Sequence, residues 1–393
     1  MNHLDFYQEK LELLKQKGQF RNFKTNVSQA YKIRIDGKEM INFASNDYLG
    51  FASDSMLVEE FFDLTPTADR VMSASSSRLL TGNFAQFEQL EQAMGKQFKR
   101  SVLLFNSGYH MNIGILPALC DQKTLIFADK LVHASLIDGI RLAGCHYVRF
   151  RHNDLIHLEE LLEQYHGDEK IDRIIVVTES IFSMDGDETD LAALVQLKQK
   201  FSKTLLYVDE AHAIGVRGEL GLGCVEQYQV IQEIDVIAGT FGKAMASIGA
   251  YIVCHEIIRE YLINTMRPLI FSTALAPINV AWTHFIFNKM LTAQQRRENL
   301  QQCQQQIKQG LDDIGLATTS SSQIVPIVVG EAKKTIELAE YLQKQGFYIL
   351  GVRPPTVPPN TSRLRLCLHS NLQKDDITEL LLSIENGLGV VNG

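Results

Sequence analysis

The sequence predicts an α/β protein, with a large domain built on a mostly parallel sheet and a smaller α+β domain after it. In the middle of the chain, strand-like segments alternate with helix-like segments, which is typical of strand–helix–strand units in a parallel sheet. The strand cores are continuous apolar runs, IIVV at 174–177 and LLYV at 205–208, as expected for strands buried on both faces. The last hundred residues follow a different order, which favours a separate small domain.

The N-terminal region is predicted to form a helix and then a hairpin. Residues 3–17 place Leu4, Leu11 and Leu14 near a helical period. Asp36-Gly37 is a hairpin signal between two short strands over 31–43. We expect the helix to pack near the small domain.

The central region is predicted to alternate regularly, and the C-terminal region to begin with a polar, Gln-rich helix over 293–314. Predicted strands cover 125–129, 146–150, 173–179, 204–209, 234–239, 249–253, 324–329, 348–352 and 363–368. The other predicted helices cover 134–143, 155–165, 191–201, 335–345 and 374–387. These elements divide the chain into an N-terminal helix and hairpin segment (1–45), a large domain (46–285) and a small α+β domain (286–393).

Composition excludes several classes of protein. The chain has 393 residues, enough for two or three domains, and a formal net charge of −8 without runs of like charge, which argues against a nucleic-acid binder. The N-terminus lacks the apolar core of a signal peptide, and polar residues and Pro277 interrupt the apolar stretch 269–287, so we expect no membrane span. The six cysteines form no C-x-x-C pair, which favours a reduced, cytoplasmic protein.

Polar residues follow four of the predicted strands. They occupy 129–133, 179–183, 209–212 and 240–243. Because ligands bind outside the carboxyl ends of the strands in open α/β sheets, we expect these loops to converge on one site.

Lys243 is the first candidate for chemistry at this site. A phosphate-binding P-loop is excluded, because that motif needs glycine at 237 and serine or threonine at 244, where the chain has Ile237 and Ala244. A surface loop lysine is the plain alternative. A lysine between Gly242 and Ala244 after a buried strand could instead form a Schiff base with a planar ligand.

Asp209 is the matching acidic candidate. It could cap a helix, or it could keep the ring nitrogen of pyridoxal phosphate (PLP) protonated. His133 and His212 also follow strands, and each could equally be a structural histidine. No H-E-x-x-H or comparable spacing is present, so we expect no metal site.

Two further segments suit anionic groups. Ser107-Gly108 precedes a helix predicted from 113, and a helix N-terminus favours phosphate, although an ordinary turn is the alternative. Arg353 lies among prolines in RPPTVPP, which would hold its guanidinium in place for a carboxylate, or would simply make a rigid surface turn. Arg21 is a weaker carboxylate candidate.

Taken together, these motifs resemble the α-oxoamine synthases, a fold-type-I PLP family, over nearly the whole chain. The resemblance implies a seven-stranded, mostly parallel sheet in the large domain. The matching segments are NDYLG (46–50), SRLLTG (77–82), NSGY (106–109), HASL (133–136), TESIFSMDGD (178–187), DEAH (209–212), GTFGK (239–243), FST (271–273) and RPPTVP (353–358).

The resemblance also implies residue roles. Lys243 would hold PLP and move protons, Asp209 would pair with the pyridine nitrogen, and His133 would stack on the ring. The ring hydroxyl side would meet His212 and Ser183. The phosphate would contact Gly108, Tyr109 and Thr240, with Ser272 and Thr273 from the partner subunit of a homodimer. The amino-acid substrate would contact Arg21, Asn46, His133, Arg353 and Thr356.

Within the family, the likeness is greatest to the biotin-pathway member, which implies decarboxylative condensation of L-alanine with a pimeloyl thioester on acyl carrier protein or coenzyme A. Rivals are members that use glycine with acetyl or succinyl donors, or serine with a long acyl donor. An aminotransferase and a non-catalytic PLP-binding protein are rivals of other classes. The chain departs from the family pattern at 73–76 (SASS), at Phe87 and at 369–371 (HSN), which concerns acyl-chain selection rather than the cofactor.

Overall fold

A computed structural model describes residues 3–17, 19–29 and 31–392. Fourteen α-helices lie within these residues, besides a 3-10 turn at Thr67–Asp69 and a π-helical turn at Arg78–Gly82. The helices are α1 (Asp5–Gln16), α2 (Ser55–Leu64), α3 (Ala85–Phe98), α4 (Gly108–Leu119), α5 (Ala134–Ala143), α6 (Leu155–His166), α7 (Leu191–Lys200), α8 (Cys224–Gln227), α9 (Glu256–Thr265), α10 (Arg267–Ile270), α11 (Pro277–Leu291), α12 (Gln294–Asp313), α13 (Ala332–Lys344) and α14 (Lys374–Asn392).

Three sheets organise the strands in the described part of the chain. The strands are β1 (Val27–Gln29), β2 (Lys32–Ile35), β3 (Lys38–Asn42), β4 (Ser101–Phe105), β5 (Thr124–Asp129), β6 (His146–Phe150), β7 (Arg173–Glu179), β8 (Thr204–Asp209), β9 (Val236–Thr240), β10 (Ala250–Cys254), β11 (Ile324–Gly330), β12 (Phe347–Tyr348), β13 (Gly351–Val352) and β14 (Ser362–Cys367). Their orders are β1-β2-β3-β12, β4-β10-β9-β8-β7-β5-β6 and β11-β14-β13.

The seven-stranded sheet confirms the predicted fold class. Five neighbouring strands, from β9 to β6, pair in parallel, and β10 pairs antiparallel with both β9 and β4. Every residue of β5 is buried, and so is every residue of β7 after the first, because helices cover both faces. Strand β4 was not predicted from the sequence, because its five residues give too short an apolar run to separate from a helix segment.

The N-terminal hairpin confirms the turn prediction at Asp36-Gly37, where both residues have positive φ. Helix α1 has no buried residue, so the expected packing of the helix itself against the small domain is not seen. The chain just after it does reach that region, where Gln19 Nε2 donates to the Pro354 carbonyl at 3.5 Å.

The predicted single strand over 348–352 is wrong. Phe347 and Tyr348 pair in parallel with β3, whereas Gly351 and Val352 pair antiparallel with β14. The segment therefore passes from one sheet to another, and its apolar residues serve two different cores. The predicted domain boundaries at 45 and 285 stay a prediction.

Helix α11 lies where the apolar stretch over 269–287 was identified, and it follows the short α10 across a break. None of the helices in residues 3–17, 19–29 and 31–392 combines the length and apolar content that a bilayer crossing needs.

Candidate active site

The polar loops that follow the parallel strands meet at one edge of the seven-stranded sheet, as predicted. Glu179 and Asp209 end neighbouring strands and are direct partners in the β7–β8 register. Asp209 pairs in turn with Ala238 of β9, five residues before Lys243. Parallel pairing therefore gathers groups that are far apart in the sequence.

Lys243 lies in a tight turn after β9, where the Ala246 amide donates to the Lys243 carbonyl at 2.9 Å. Its Nζ is 2.9 Å from Nε2 of His212. Burial lowers the pKa of Lys243 to about 8, although the charges of Asp209 and Glu179 oppose this effect. A buried amine with this pKa is a substantial fraction neutral near pH 8, and only the neutral amine is a nucleophile.

His212 connects Lys243 to a second part of the site. Its Nδ1 lies 2.7 Å from the Tyr48 hydroxyl, and that hydroxyl donates to Asn46 Oδ1 at 3.0 Å. Burial, followed by the charge of Lys243, holds the pKa of His212 well below its usual range. The neutral ring with its proton on Nδ1 satisfies every partner, because Nε2 then accepts from Lys243.

Asp209 is buried and fixed by two donors. Its Oδ1 accepts from the Ala211 amide at 2.9 Å, and its Oδ2 accepts from Asn112 Nδ2 at 3.1 Å. Asn112 is itself fixed, because its Oδ1 accepts from the Tyr207 hydroxyl at 2.6 Å. The carboxylate is thus buried and held in place, and in the described part of the chain no cation forms an ion pair with it, which suits an incoming cationic group. The helix-capping alternative for Asp209 is excluded, because this residue ends β8 and begins no helix.

Glu179 is a buried acid that the sequence analysis had assigned only to a strand end. Its Oε1 accepts from the His133 backbone amide at 2.5 Å, so it fixes the start of α5. His133 also caps this helix, because its Nδ1 accepts from the Ser135 amide at 3.2 Å. Burial, reinforced by the neighbouring Asp209 charge, holds the pKa of Glu179 well above its usual value.

The phosphate seat differs from its prediction in one respect. Helix α4 begins at Gly108, not at 113, and Ser107 caps it by accepting from the His110 amide at 3.2 Å. The apolar pattern begins late because the first turn is polar, which hid the true start. A Cβ on Gly108 would lie 2.5 Å from Thr240 Cγ2, so glycine lets β9 lie directly against the helix N-terminus.

The other predicted phosphate contacts lie around this helix. The Thr240 hydroxyl is buried and has no hydrogen-bond partner among the described residues. Tyr109 is half exposed, and its hydroxyl donates to Asp138. In the same chain, Ser272 Oγ lies 3.5 Å from His110 Nε2, and the Thr273 carbonyl accepts from Asn106 at 2.7 Å. A contribution of Ser272 and Thr273 to a partner's site stays a prediction.

Arg365 is the main site residue that the sequence analysis missed. It lies on β14, and its Nε donates to the Ser183 carbonyl at 2.5 Å, while its Nη atoms lie 3.3 Å from Asn46 Oδ1. Cys367 Sγ is a further neighbour at 2.7 Å from Nη1. Within the described part of the chain no carboxylate pairs with Arg365, so its charge is available to an anionic ligand. The alternation RLRLCL held the signal, because it places two arginines on one face of a strand.

The other predicted carboxylate contacts are more exposed. Arg353 is half-buried, and the described residues offer its side chain no hydrogen bond or ion pair. The same holds for Arg21, which is exposed. Thr356 is also exposed, and its amide donates to the Arg353 carbonyl at 3.1 Å. The structure thus brings Asn46 to Arg365, whereas no contact joins Arg21, Arg353 or Thr356 to them among the described residues.

At the positions that depart from the family pattern, the side chains make contacts with other side chains. Phe87 is buried, and the Arg78 guanidinium lies 4.6 Å from its ring centroid. His369 is buried with Nε2 3.8 Å from Asp47. Ser73 and Ser75 hydrogen-bond to each other at 3.2 Å.

The residues present fit PLP. Asp209 would face the ring nitrogen, the Thr240 hydroxyl and the α4 N-terminus would bind the phosphate, and the Lys243 amine, three residues after Thr240, would link to the aldehyde. The donor set has the required charges, because an acid meets the ring nitrogen and backbone amides meet the phosphate. In the described residues, no group of three or more acidic, histidine or cysteine side chains could hold a metal ion.

Comparisons with known proteins identify the family of the chain. The family model described as aminotransferase class I and II matches residues 38–384. An 8-amino-7-oxononanoate synthase of Haemophilus ducreyi is 52% identical, over 96% of this chain and 99% of the relative.

Two solved structures extend the likeness to the fold. A serine palmitoyltransferase from S. paucimobilis with bound PLP superposes with a TM-score of 0.89 at 26% identity, over 99% of this chain and 98% of the other. An 8-amino-7-oxononanoate synthase from Francisella tularensis gives 0.75 at 28% identity, over 89% and 98%.

Proposed function

The chain belongs to the aminotransferase class I and II family and is a PLP-dependent acyltransferase of the α-oxoamine synthase type, and on this premise we propose its reaction. It joins L-alanine to the pimeloyl group of a thioester, on acyl carrier protein or coenzyme A. The products are 8-amino-7-oxononanoate, carbon dioxide and the free thiol, for biotin synthesis. The observation that carries the proposal is the Lys243 amine, which interacts electrostatically with both Asp209 and Arg365. Among the described residues, Asp209 has no ion pair with a cation and Arg365 has none with a carboxylate.

When bound, PLP supplies an aldehyde that links to amines and a protonated ring that accepts electrons. Asp209 would keep the ring nitrogen protonated. Hydrogen bonds from Ala211 and Asn112 already hold its two oxygens in place for this role. Thr240 and the α4 N-terminus would hold the phosphate. His133 would cover one face of the ring, and the Glu179 carboxyl would keep it there through the His133 amide.

Arg365 would bind the alanine carboxylate. Its guanidinium is held by neutral acceptors, the Ser183 carbonyl and Asn46 Oδ1, so it keeps donors and a full positive charge for a carboxylate. Arg353, with Thr356, would close over the same group from the mouth of the cleft, as the family resemblance implies. Arg21 would approach from the N-terminal segment.

Lys243 would carry the proton of the amino-acid Cα. Its pKa of about 8 is close to working pH, where a general base and acid is most effective. His212 accepts from the amine at 2.9 Å and would steady it during the transfer. The small neighbours Gly242 and Ala244 leave the amine room to turn between the cofactor and the substrate.

We also propose that the protein is a homodimer in the cytoplasm, with Ser272 and Thr273 reaching the partner's phosphate. The support is the resemblance to the family. Ala211 has a small side chain, which would leave a face of the PLP ring open.

Free-thiol release tests the reaction. Purified protein with PLP, L-alanine and pimeloyl-coenzyme A or pimeloyl-acyl carrier protein is expected to release thiol only when both substrates are present. Glycine and serine, with acetyl, succinyl and palmitoyl donors, serve as controls. Release with one of these pairs instead would move the substrate within the family. Transfer of the amino group to a keto acid without thiol release would contradict the proposal and favour an aminotransferase.

A further inference from the structure

A charged histidine lies behind the site, on the far side of the loop that holds Arg365. We infer that His152 is a positioning residue, whose imidazolium holds a hairpin, residues 180–188, so that the Ser183 carbonyl fixes the guanidinium of Arg365. The hairpin is called the 180–188 hairpin below. This inference rests on the proposed function, because it gives Arg365 the substrate carboxylate.

The 180–188 hairpin follows β7 directly. Ile181 and Glu188 form an antiparallel bridge, and the Phe182 amide donates to the Asp187 carbonyl at 3.0 Å. The turn between them contains Ser183 and Gly186, whose amide donates back to the Phe182 carbonyl at 2.9 Å. The turn is therefore closed by Phe182 and Asp187.

His152 contacts both of these residues. Its Nε2 lies 2.8 Å from Asp187 Oδ2, and its ring meets the Phe182 ring edge-on at 4.4 Å between centroids. Its Nδ1 lies 2.9 Å from Asp129 Oδ1 at the end of β5. The imidazole thus joins the turn to the buried end of a central strand of the sheet.

Two carboxylates can be bridged in this way only by the cation, because neutral histidine has one N–H and would face one carboxylate with a lone pair. Burial lowers the pKa of His152, but hydrogen bonds to Asp129 and Asp187 outweigh that effect and raise it to about 10. Asn153, the residue after His152, also donates to Asp187 Oδ2 at 2.6 Å, but its side chain carries no charge. Asp129 is wholly buried, so it would be costly to leave without its cation.

The other end of the hairpin touches the C-terminal sheet. The Ser183 carbonyl accepts from Arg365 Nε at 2.5 Å, and Asp185 forms an ion pair with Arg363 on the same strand. The Gly186 carbonyl accepts from the Ser321 amide at 3.2 Å. The turn therefore contacts Arg365 through the Ser183 carbonyl. On the side of the large sheet, two charged groups among the described residues hold the 180–188 hairpin, which are His152 at Asp187 and Arg217 at Glu188. Of these two, His152 contacts the residue that closes the turn.

The variant His152→Gln tests this inference in the PLP-loaded enzyme. It keeps a side-chain donor but removes the positive charge between the two acids. The half-saturating amino-acid concentration, read from the absorption of the bound cofactor, is expected to rise at least about tenfold, since a shift of about 1 Å in a remote support can cost a hundredfold. The KM for the thioester and the absorption before amino acid is added should not change.

Two further variants separate positioning from general destabilisation. His157→Gln is the matched control, because His157 lies five residues away and accepts from the Arg151 amide at 3.0 Å, and because none of its hydrogen bonds to the described residues reaches the 180–188 hairpin. This variant should bind amino acid normally. His152→Gln combined with Asp187→Asn removes one of the two uncompensated acids, and should recover part of the lost amino-acid affinity.

The outcomes are distinct. Unchanged amino-acid affinity in a folded His152→Gln variant would overturn the inference, and so would an equal loss of cofactor, thioester and amino-acid binding. A loss confined to the amino acid, with recovery in the double variant, would support it. The spectral titration needs no acyl donor, so it can be carried out with whichever amino acid the wild-type protein binds. A failure of the proposed reaction would be seen separately, in the thiol assay of the wild-type protein.

Discussion

The two ends of the cleft are built differently. The Lys243 end, which comprises Lys243, Asp209 and Thr240, lies on strand ends of one sheet and is held by contacts within that sheet and its covering helices. The Arg365 end, which comprises Arg365, Asn46 and Ser183, is assembled from three separate parts of the chain. Cofactor chemistry thus depends on local strand geometry, whereas substrate recognition depends on how the C-terminal sheet sits against the large one.

A chain of contacts joins the two ends. Lys243 reaches His212, His212 reaches Tyr48, and Tyr48 shares the Asn46 oxygen with Arg365. The amine that moves the proton and the guanidinium that would hold the substrate carboxylate are therefore fixed relative to each other through two buried rings. Variants at the two ends should separate cofactor loss from substrate loss.

The largest effect is expected at the Lys243 end. Lys243→Ala should abolish covalent attachment of PLP and reduce turnover by at least about 10⁴-fold, because nucleophile and proton carrier are lost together. Absorption spectra and thiol release measure the two losses. Lys333→Ala, at a largely exposed lysine of α13, is the control and should behave as wild type. Turnover within tenfold of wild type in Lys243→Ala would remove this residue from its role.

The Arg365 end should give a smaller and selective effect. Arg365→Gln should raise the KM for alanine by about 10- to 100-fold, the range for losing a hydrogen bond to a charged group, and should leave the spectrum of bound PLP intact. Arg353→Gln is the comparison, and we expect a lesser rise because no hydrogen bond from the described residues holds the Arg353 side chain in place. If Arg353→Gln has the larger effect, the carboxylate binds at Arg353, and the assignment of Arg365 is wrong.

The smallest effect is a pH dependence at the Lys243 end. The pKa of Lys243 in the folded protein is lowered to about 8. The fraction of Lys243 in the neutral form therefore rises about tenfold per pH unit below pH 8 and levels off above it. The rate at which cofactor-free protein captures PLP should therefore rise by only about tenfold between pH 7 and 9. A rate that still rises tenfold per unit from pH 8 to 10 would indicate an ordinary lysine.

Most of the Lys243 end could be predicted from the sequence. Apolar runs followed by polar residues located Asp209, His212 and Lys243, and a parallel sheet brings all such strand ends to one edge. The start of α4 was placed too late, since its first turn, Gly108 to Met111, begins with polar side chains and gave no helical period. Glu179 was located at a strand end, but its bond to the His133 amide depends on a neighbouring strand.

Little of the Arg365 end could be predicted in this way. Arg353 stood out because prolines surround it, whereas Arg365 looked like one of two charges in a short strand. Its environment comes from Asn46 and Ser183, which are 319 and 182 residues away, and no local pattern carries such a contact. The same reason explains the error at 348–352, where the two halves of the segment were drawn to different sheets.

The sequence by itself determined the α/β class, the mostly parallel sheet and the lysine and aspartate of the cofactor end, because these follow from residue periodicity and from the polarity of strand ends. Only the tertiary structure decided that Arg365 lies beside Ser183 and Asn46, that neutral His212 bridges Lys243 and Tyr48, and that His152 lies between two acids. Burial and charge pairing act between segments distant in the sequence, and they set pKa values and free hydrogen-bond donors only once the sheets have packed.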